Sequence, residues 1–473
     1  MIDAAQRKCA SVVAWGGLRP RGNVISAEWG KGKFMKIGLI AMSGVRAWDP
    51  ELLELGLSMP GFVERKTVIA QLPSLGLLTL AGLTPRHDDV SYHELFDIAQ
   101  DPLPNDDFDL IAISSFTAQI EDAYQVADGY RARHVPVVLG GLHVSSLPEE
   151  ALLHADAIVI GEAEEVWPII VEDARRGELK RVYRPSRPWR LVDSPIPRFD
   201  LLDPEKYNRI TVQTSRGCPW KCDFCASSIL IAPHYQVKPV SRVVEEIRRI
   251  KSIWPRPFIE FADDNTFVNK KHSKLLMRAL IPERIRFFTE TDLSFADDPD
   301  LIALARDAGC RQVLIGFESP TLLGLDGMEL HCNWKLKQQE RSLAAIERIQ
   351  SAGITVNGCF ILGLDGQTPE VFGQILEFVK QSGLYDVQVT LQTPFPGTPL
   401  YDRLRREGRL FENRYWEKCT LFDLTHEPQG MSSGELRAGL ISLSQAIYDE
   451  RATHQRHDRF FSQLRTSSAL AQP

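Results

Sequence analysis

Three cysteines on one short stretch carry the clearest chemistry in this chain: Cys218, Cys222 and Cys225, spaced Cys-x3-Cys-x2-Cys. Three thiolates so close together can hold three irons of a 4Fe–4S cluster and leave the fourth iron without a protein ligand. Electron-transfer clusters are normally held by four thiolates, so a missing one points to an iron kept open for a small molecule. A structural zinc ion also asks for four protein ligands, and no second cysteine pair supplies the fourth. A disulfide framework does not suit a chain of 473 residues with eight cysteines. The other five (Cys9, Cys310, Cys332, Cys359 and Cys419) read as buried small hydrophobes.

The elements that must position this loop read as two strand–helix alternations. In residues 35–175, apolar strands are expected at Ile37–Met42, Val90–Leu95, Phe108–Ser115, Val135–Leu139 and Ala157–Ile160, with a helix at Leu75–Leu83 and another through Tyr124 and Tyr130. Near-continuous apolar strands separated by helices imply a parallel sheet covered on both faces. Ligands of such sheets sit at the carboxyl ends of the strands. There the chain places Ser114, Ser115 and Thr117, then Gly140, Gly141 and His143, then Gly161 and Glu162. The small residues among them let a large ligand approach the backbone.

Residues 176–207 read as a basic, proline-rich linker. In residues 208–402 six further strands are expected, at Thr211–Ser215, Phe258–Ala262, Arg286–Thr291, Gln312–Phe317, Ile354–Leu362 and Val387–Leu391. A helix from Ser241, taken as its N-cap, to Trp254 fits between the first two. Six repeats imply a partial parallel barrel, with its chemistry at the C-terminal strand ends. Asp263, Asp264 and Asn265 follow the second strand, Glu318 and Ser319 the fourth, and Gly363 the fifth. Helix capping is the plain alternative for Asp263, Asp264, Asp365 and Thr368. Strand alternation alone leaves the face of Glu290 open. Residues 403–473 read as a helical C-terminal region. The fold class is therefore α/β: a doubly wound parallel-sheet domain, a partial (β/α)6 barrel and a helical tail.

The cysteine spacing, with Phe224 just before the last cysteine, resembles the signature of radical S-adenosylmethionine enzymes. The runs Val137–Glu150 and Ala155–Glu164 resemble the N-terminal cobalamin-binding domain of the cobalamin-dependent members. The barrel's second half resembles a subgroup with hopanoid C-methylases and the anaerobic bacteriochlorophyll oxidative cyclase. In the family, the open iron chelates S-adenosylmethionine, and an electron from the cluster releases a 5′-deoxyadenosyl radical.

The resemblance implies that Phe224 packs beside the adenine. Asp263, Asp264 and Asn265 would lie near the amino group of S-adenosylmethionine, and Glu318 and Ser319 near its ribose and carboxylate. Gly363 would let the backbone pass the adenine. Ser114, Ser115, Thr117, Gly140, Gly141, His143, Gly161 and Glu162 would face cobalamin. The loop after the first strand, Met42 to Trp48, lacks the cobalt-binding His of other cobalamin proteins, so cobalt is expected without a histidine ligand.

The implied activity is methyl transfer to an unactivated carbon of a small molecule or lipid. A non-methylating cyclisation, oxidation or rearrangement is the alternative. Either needs a low-potential electron donor such as flavodoxin or ferredoxin. No residue is singled out as catalytic in its own right.

Net charge −7 argues against a nucleic-acid partner. No apolar run reaches the roughly 20 residues of a membrane span, and free thiols fit a cytoplasmic setting. Residues 1–34 differ in character from the rest of the chain. They leave two readings open, a translation start at Met35 and a short N-terminal arm.

Overall fold

Apolar, β-branched runs become the strands of two separate parallel sheets. The computed structural model describes residues 34–44, 47–54, 72–232 and 234–470. Met35–Pro473 forms one compact unit. The expected extension 1–34 lies, but for Phe34, outside the described residues.

The first sheet contains β1 (Lys36–Met42), β2 (Asp89–Leu95), β3 (Leu110–Ser114), β4 (Val137–Gly140), β5 (Ala157–Val159) and β6 (Val182–Tyr183). Their order is β2-β1-β3-β4-β5-β6, all parallel. The first five follow the order of flavodoxin-like sheets, whose ligands lie beyond the strand ends where the winding reverses. β6 comes from the segment read as linker, because Tyr183 buries its ring in this domain's core. The helix Leu75–Leu83 forms where expected, capped by the Ser74 hydroxyl, which accepts from the Leu77 amide.

The expected strand Thr211–Ser215 splits in two. β7 (Ile210–Val212) joins the barrel, while β8 (Ser215–Arg216) pairs antiparallel with β9 (Gln236–Val237). This small ladder brackets the cysteine loop. The helix placed from Ser241 runs Val240–Ile253 with Pro239 at its N-cap position, so Ser241 lies within the first turn. Proline suits a helix start, where amides lack helical acceptors.

The barrel continues with β10 (Phe258–Phe261), β11 (Arg286–Thr291), β12 (Cys310–Glu318), β13 (Thr355–Leu362) and β14 (Asp386–Leu391). Its order is β14-β13-β12-β11-β10-β7, again all parallel. Alternate residues such as Ile259, Phe287, Val313, Val356 and Val387 point outward into one core shared with the helices. The C-terminal helix Ser433–Tyr448 adds Leu436, Leu440, Leu443 and Ile447 to that core. Tyr415 and Trp416 instead pack into the first domain beside Tyr124 and Tyr130. Among the described residues, no helix is long and apolar enough to cross a membrane.

Candidate functional site

The cysteine loop is held from three sides. From the barrel, the Gly217 amide donates to Asp264 Oδ2 at 2.8 Å. Gly217 adopts φ +80°, and a Cβ there would stand 2.7 Å from the carbonyl oxygens of Ala232 and His234. Glycine is required at this turn. From the segment after β12, Cys222 bridges Glu329, and the Asp223 amide donates to the Met328 carbonyl. From the helix Pro399–Arg406, the Leu400 amide donates to the Asp223 carbonyl.

Cys222 is buried, and Cys218 and Cys225 are half-buried. Burial raises the Cys218 thiol to about 12 and shifts Cys222 and Cys225 the same way. Among the described residues, no group of three or more His, Cys, Asp or Glu is arranged to hold a metal ion. Phe224 packs on Leu325, Met328 and Leu364 beside the loop.

The three residues after β10 separate into different tasks. Asp263 accepts from the amides of Thr214 and Ser215 and from the hydroxyls of Thr214 and Thr266. Burial raises its pKa against those bonds. Its oxygens are engaged at the strand-to-loop turn. Asp264 reaches Gly217 and also lines the cavity of the first domain. Asn265 donates to Asp292 at 2.8 Å and lies 4.0 Å from the Cys218 sulfur.

None of the four residues weighed as caps takes that role. Asn269 caps Lys270–Leu280, and Pro369 occupies the N-cap position of Glu370–Ser382. Asp365 instead pairs with Arg403 and Arg409. Ser319 is buried against Thr321 and Gln367, and Gly363 donates its amide to Gln367.

Glu318 sits at φ +61°, an uncommon backbone state for a non-glycine residue, and pairs with Lys335 at 2.8 Å. Burial opposes the Lys335 charge, yet the Glu318 carboxylate holds its pKa above the ordinary value. Lys335 escaped the sequence reading because it lies in the short helix Trp334–Gln338, 17 positions from the Glu318 it meets.

In the first domain, a cavity of about 360 Å3 opens at the strand ends. Ser114, Gly140, Gly141, Gly161 and Glu162 line it, together with Gln213, Arg216, Ala262 and Asp264 from the barrel. The volume is that of an ordinary small-molecule pocket. Gly141 has φ +115°, and a Cβ there would meet the Ser115 carbonyl at 3.3 Å. Arg216 bridges Glu162 and Glu164 at 2.6 Å each. Burial disfavours its charge, but the two carboxylates raise its pKa.

Three expected residues lie outside this cavity. Thr117 is buried at the start of a short turn, and the Ser115 hydroxyl donates to the Phe116 carbonyl. His143 is 1% exposed, faces Glu150 at 3.3 Å and packs edge-on against Trp416. Its ring points into the core because the short helix Leu142–Ser146 turns that side inward. Of the other cysteines, Cys310 and Cys419 are buried, but Cys332 and Cys359 are half-buried; Cys9 lies outside the described residues.

A family model for the radical SAM superfamily matches residues 212–379, and one for the B12 binding domain matches residues 67–171. A domain of unknown function, DUF4070, matches residues 398–472. Bacteriochlorophyllide d C-8(2)-methyltransferase of Chlorobaculum tepidum is 30% identical over 67% of this chain and 73% of its own length. This chain belongs to the cobalamin-binding radical S-adenosylmethionine enzymes. The bacteriochlorophyllide d C-12(1)-methyltransferase of the same organism is 28% identical over 81% of this chain and 84% of its own. Among solved structures, the radical S-adenosylmethionine methyltransferase TsrM of Kitasatospora setae shares the fold. It has a TM-score of 0.60 at 14% identity and covers 91% of each chain. In this cobalamin-binding radical S-adenosylmethionine enzyme, the cysteine loop and the glycine-lined cavity lie side by side, joined through Arg216 and Asp264.

Proposed function

We propose that this chain is a cobalamin-dependent radical S-adenosylmethionine C-methyltransferase acting on an unactivated carbon of a small molecule or lipid. One observation carries the reading: the glycine-lined cavity of the first domain is completed by Arg216 and Asp264, which also hold the cysteine loop. When bound, a 4Fe–4S cluster with S-adenosylmethionine and a cobalamin supply a 5′-deoxyadenosyl radical for hydrogen abstraction and a methyl group for transfer.

The chain's own residues bind and orient these groups. Cys218, Cys222 and Cys225 are the iron ligands. Lys335, half-buried and paired with Glu318, keeps a further N–H donor that suits the carboxylate of S-adenosylmethionine. Asp264, Asn265, Glu318 and Ser319 serve its amino group and ribose, and Phe224 and Gly363 flank the adenine. Ser114, Gly140, Gly141, Gly161 and Glu162 receive cobalamin. The loop from Met42 to Trp48 carries no histidine, and cobalt is taken to be held without a histidine ligand. A low-potential carrier such as flavodoxin or ferredoxin supplies the electron, in a cytoplasmic setting.

The test is product analysis after anaerobic reconstitution with S-adenosylmethionine and a strong one-electron reductant. The reading expects 5′-deoxyadenosine that depends on all three cysteines. With a substrate present, it expects one S-adenosylhomocysteine per methylated product. Deoxyadenosine with no methylated product from any accepted substrate would move the assignment to a non-methylating radical reaction.

A further inference from the structure

The inside of the barrel holds a set of groups to which neither cofactor site gives a task. On β13, the outward residues Val356, Phe360 and Leu362 join the helix-facing core. The alternate residues Asn357, Cys359 and Ile361 therefore face the lumen. Asn357 is 2% exposed, and its Oδ1 has no hydrogen-bond partner. Gln388 on β14 stands in register with Cys359, and its buried Oε1 is likewise without a partner. Buried polar atoms in native folds are normally paired, so each such orphan asks for an explanation.

Glu290 on β11 is level with Leu314, which is level with Asn357. Phe287 on the same strand points outward, so alternation turns Glu290 inward, where Glu260, Asp264, Asp263 and Glu318 surround a side chain that keeps some solvent contact. The space it sees is thus the lumen. Burial first, then those four carboxylates, push its pKa up to about 8. The nearby cations are already engaged, Arg209 with Glu260 and Lys335 with Glu318.

We propose that Glu290, Asn357 and Gln388 form a lumen subsite for the polar end of the substrate, and that this end is a hydrogen-bond donor, a hydroxyl or an ammonium group. The unpartnered amide oxygens are acceptors, and Glu290 adds a negative charge once it ionises, so the set favours a donor over a carboxylate or phosphate. This deepens the functional reading and rests on it, since the barrel must be the reaction chamber.

Ligand-observed saturation-transfer NMR on the reconstituted full chain tests the subsite. The probes are n-butylammonium, n-butanol and n-butyrate, each with and without S-adenosylmethionine. The ammonium and the alcohol should bind, butyrate should not, and S-adenosylmethionine should not displace them. At about pH 8.5, Glu290→Gln should weaken butylammonium about fivefold and leave butanol nearly unchanged, because only the charge-assisted contact is lost. Asn357→Leu should weaken both.

Butylammonium should also bind more tightly at about pH 8.5 than at about pH 6.5 as Glu290 loses its proton, while butanol stays level. The other charged or titratable groups facing Glu290 are the Arg209–Glu260 pair, Asp263, Asp264, the Glu318–Lys335 pair and Cys359. Failure of every probe to bind, equal binding of butyrate, displacement by S-adenosylmethionine or indifference to both variants would overturn the subsite. If S-adenosylmethionine itself gives no saturation transfer, the functional reading fails instead.

Discussion

Arg216 reaches from the edge of the cysteine loop to Glu162 in the other domain, Nη1 to Oε1, at 2.6 Å. Its second nitrogen meets Glu164 at the same distance. The side chains are 15%, 7% and 9% exposed, so the three charges are largely withdrawn from water. Two residues further on stands Cys218, while Glu162 follows Gly161 at the mouth of the glycine-lined cavity. One guanidinium thus sets the loop against the cavity wall.

Removing that guanidinium strands two carboxylates. Arg216→Leu should destabilise the chain by about 3 kcal/mol, in the range for breaking a buried pair. Cobalamin retention should fall with it. In Arg216→Leu combined with Glu162→Gln and Glu164→Gln, part of the stability should return, because the unpaired charges go too. Chemical denaturation of the variants checks this, and equal stability of wild type and Arg216→Leu would deny the tie.

Cys222→Ala should leave the chain folded but unable to hold an open-iron cluster. Iron per chain and the visible absorption of the reconstituted protein should both collapse, and reductive cleavage of S-adenosylmethionine should stop. Persistent cleavage in this variant would remove the cysteine loop from the mechanism.

Gly141→Leu acts on the other side. At φ +115° and ψ −176° the backbone is essentially reserved for glycine, so a side chain costs about 1–3 kcal/mol of strain. It also crowds the Ser115 carbonyl at the cavity wall. Cobalamin content should drop while cluster iron stays near wild type. Unchanged cobalamin would place that group elsewhere.

Much of this arrangement was readable in the chain itself. Apolar runs such as Ile37–Met42 and Leu110–Ser114 formed strands within a residue or two, since a strand buried on both faces leaves little choice of register. The cysteine loop was plain from spacing. What escaped were contacts between distant residues: Arg216 meets a partner 54 positions back, and Lys335 meets Glu318 17 positions back. No local pattern announces such pairs. Asp263 and His143 are engaged elsewhere for a related reason. A polar residue at a strand end can turn toward its own loop or the core as readily as toward a ligand, and only packing decides.

The acidity of Glu290 makes stability depend on pH. Its folded pKa of about 8 lies above the ordinary 4.5, with burial and then neighbouring carboxylates as cause. A raised folded pKa contributes stability below the unfolded value, and this is lost as pH rises toward about 8. Because solvent reaches this group, the loss is on the order of 1 kcal/mol. Glu290→Gln should therefore be more stable than wild type near pH 8.5 and no better near pH 4.5. Parallel stability curves across that window would contradict the placement of the carboxyl.

The most direct test is to count iron and cobalt in one anaerobically reconstituted, desalted preparation of the full chain. Two cofactors held by one protein predict about four irons and about one cobalamin per chain. Four irons with no retained cobalamin, or cobalamin with no cluster iron, would contradict the two-cofactor account.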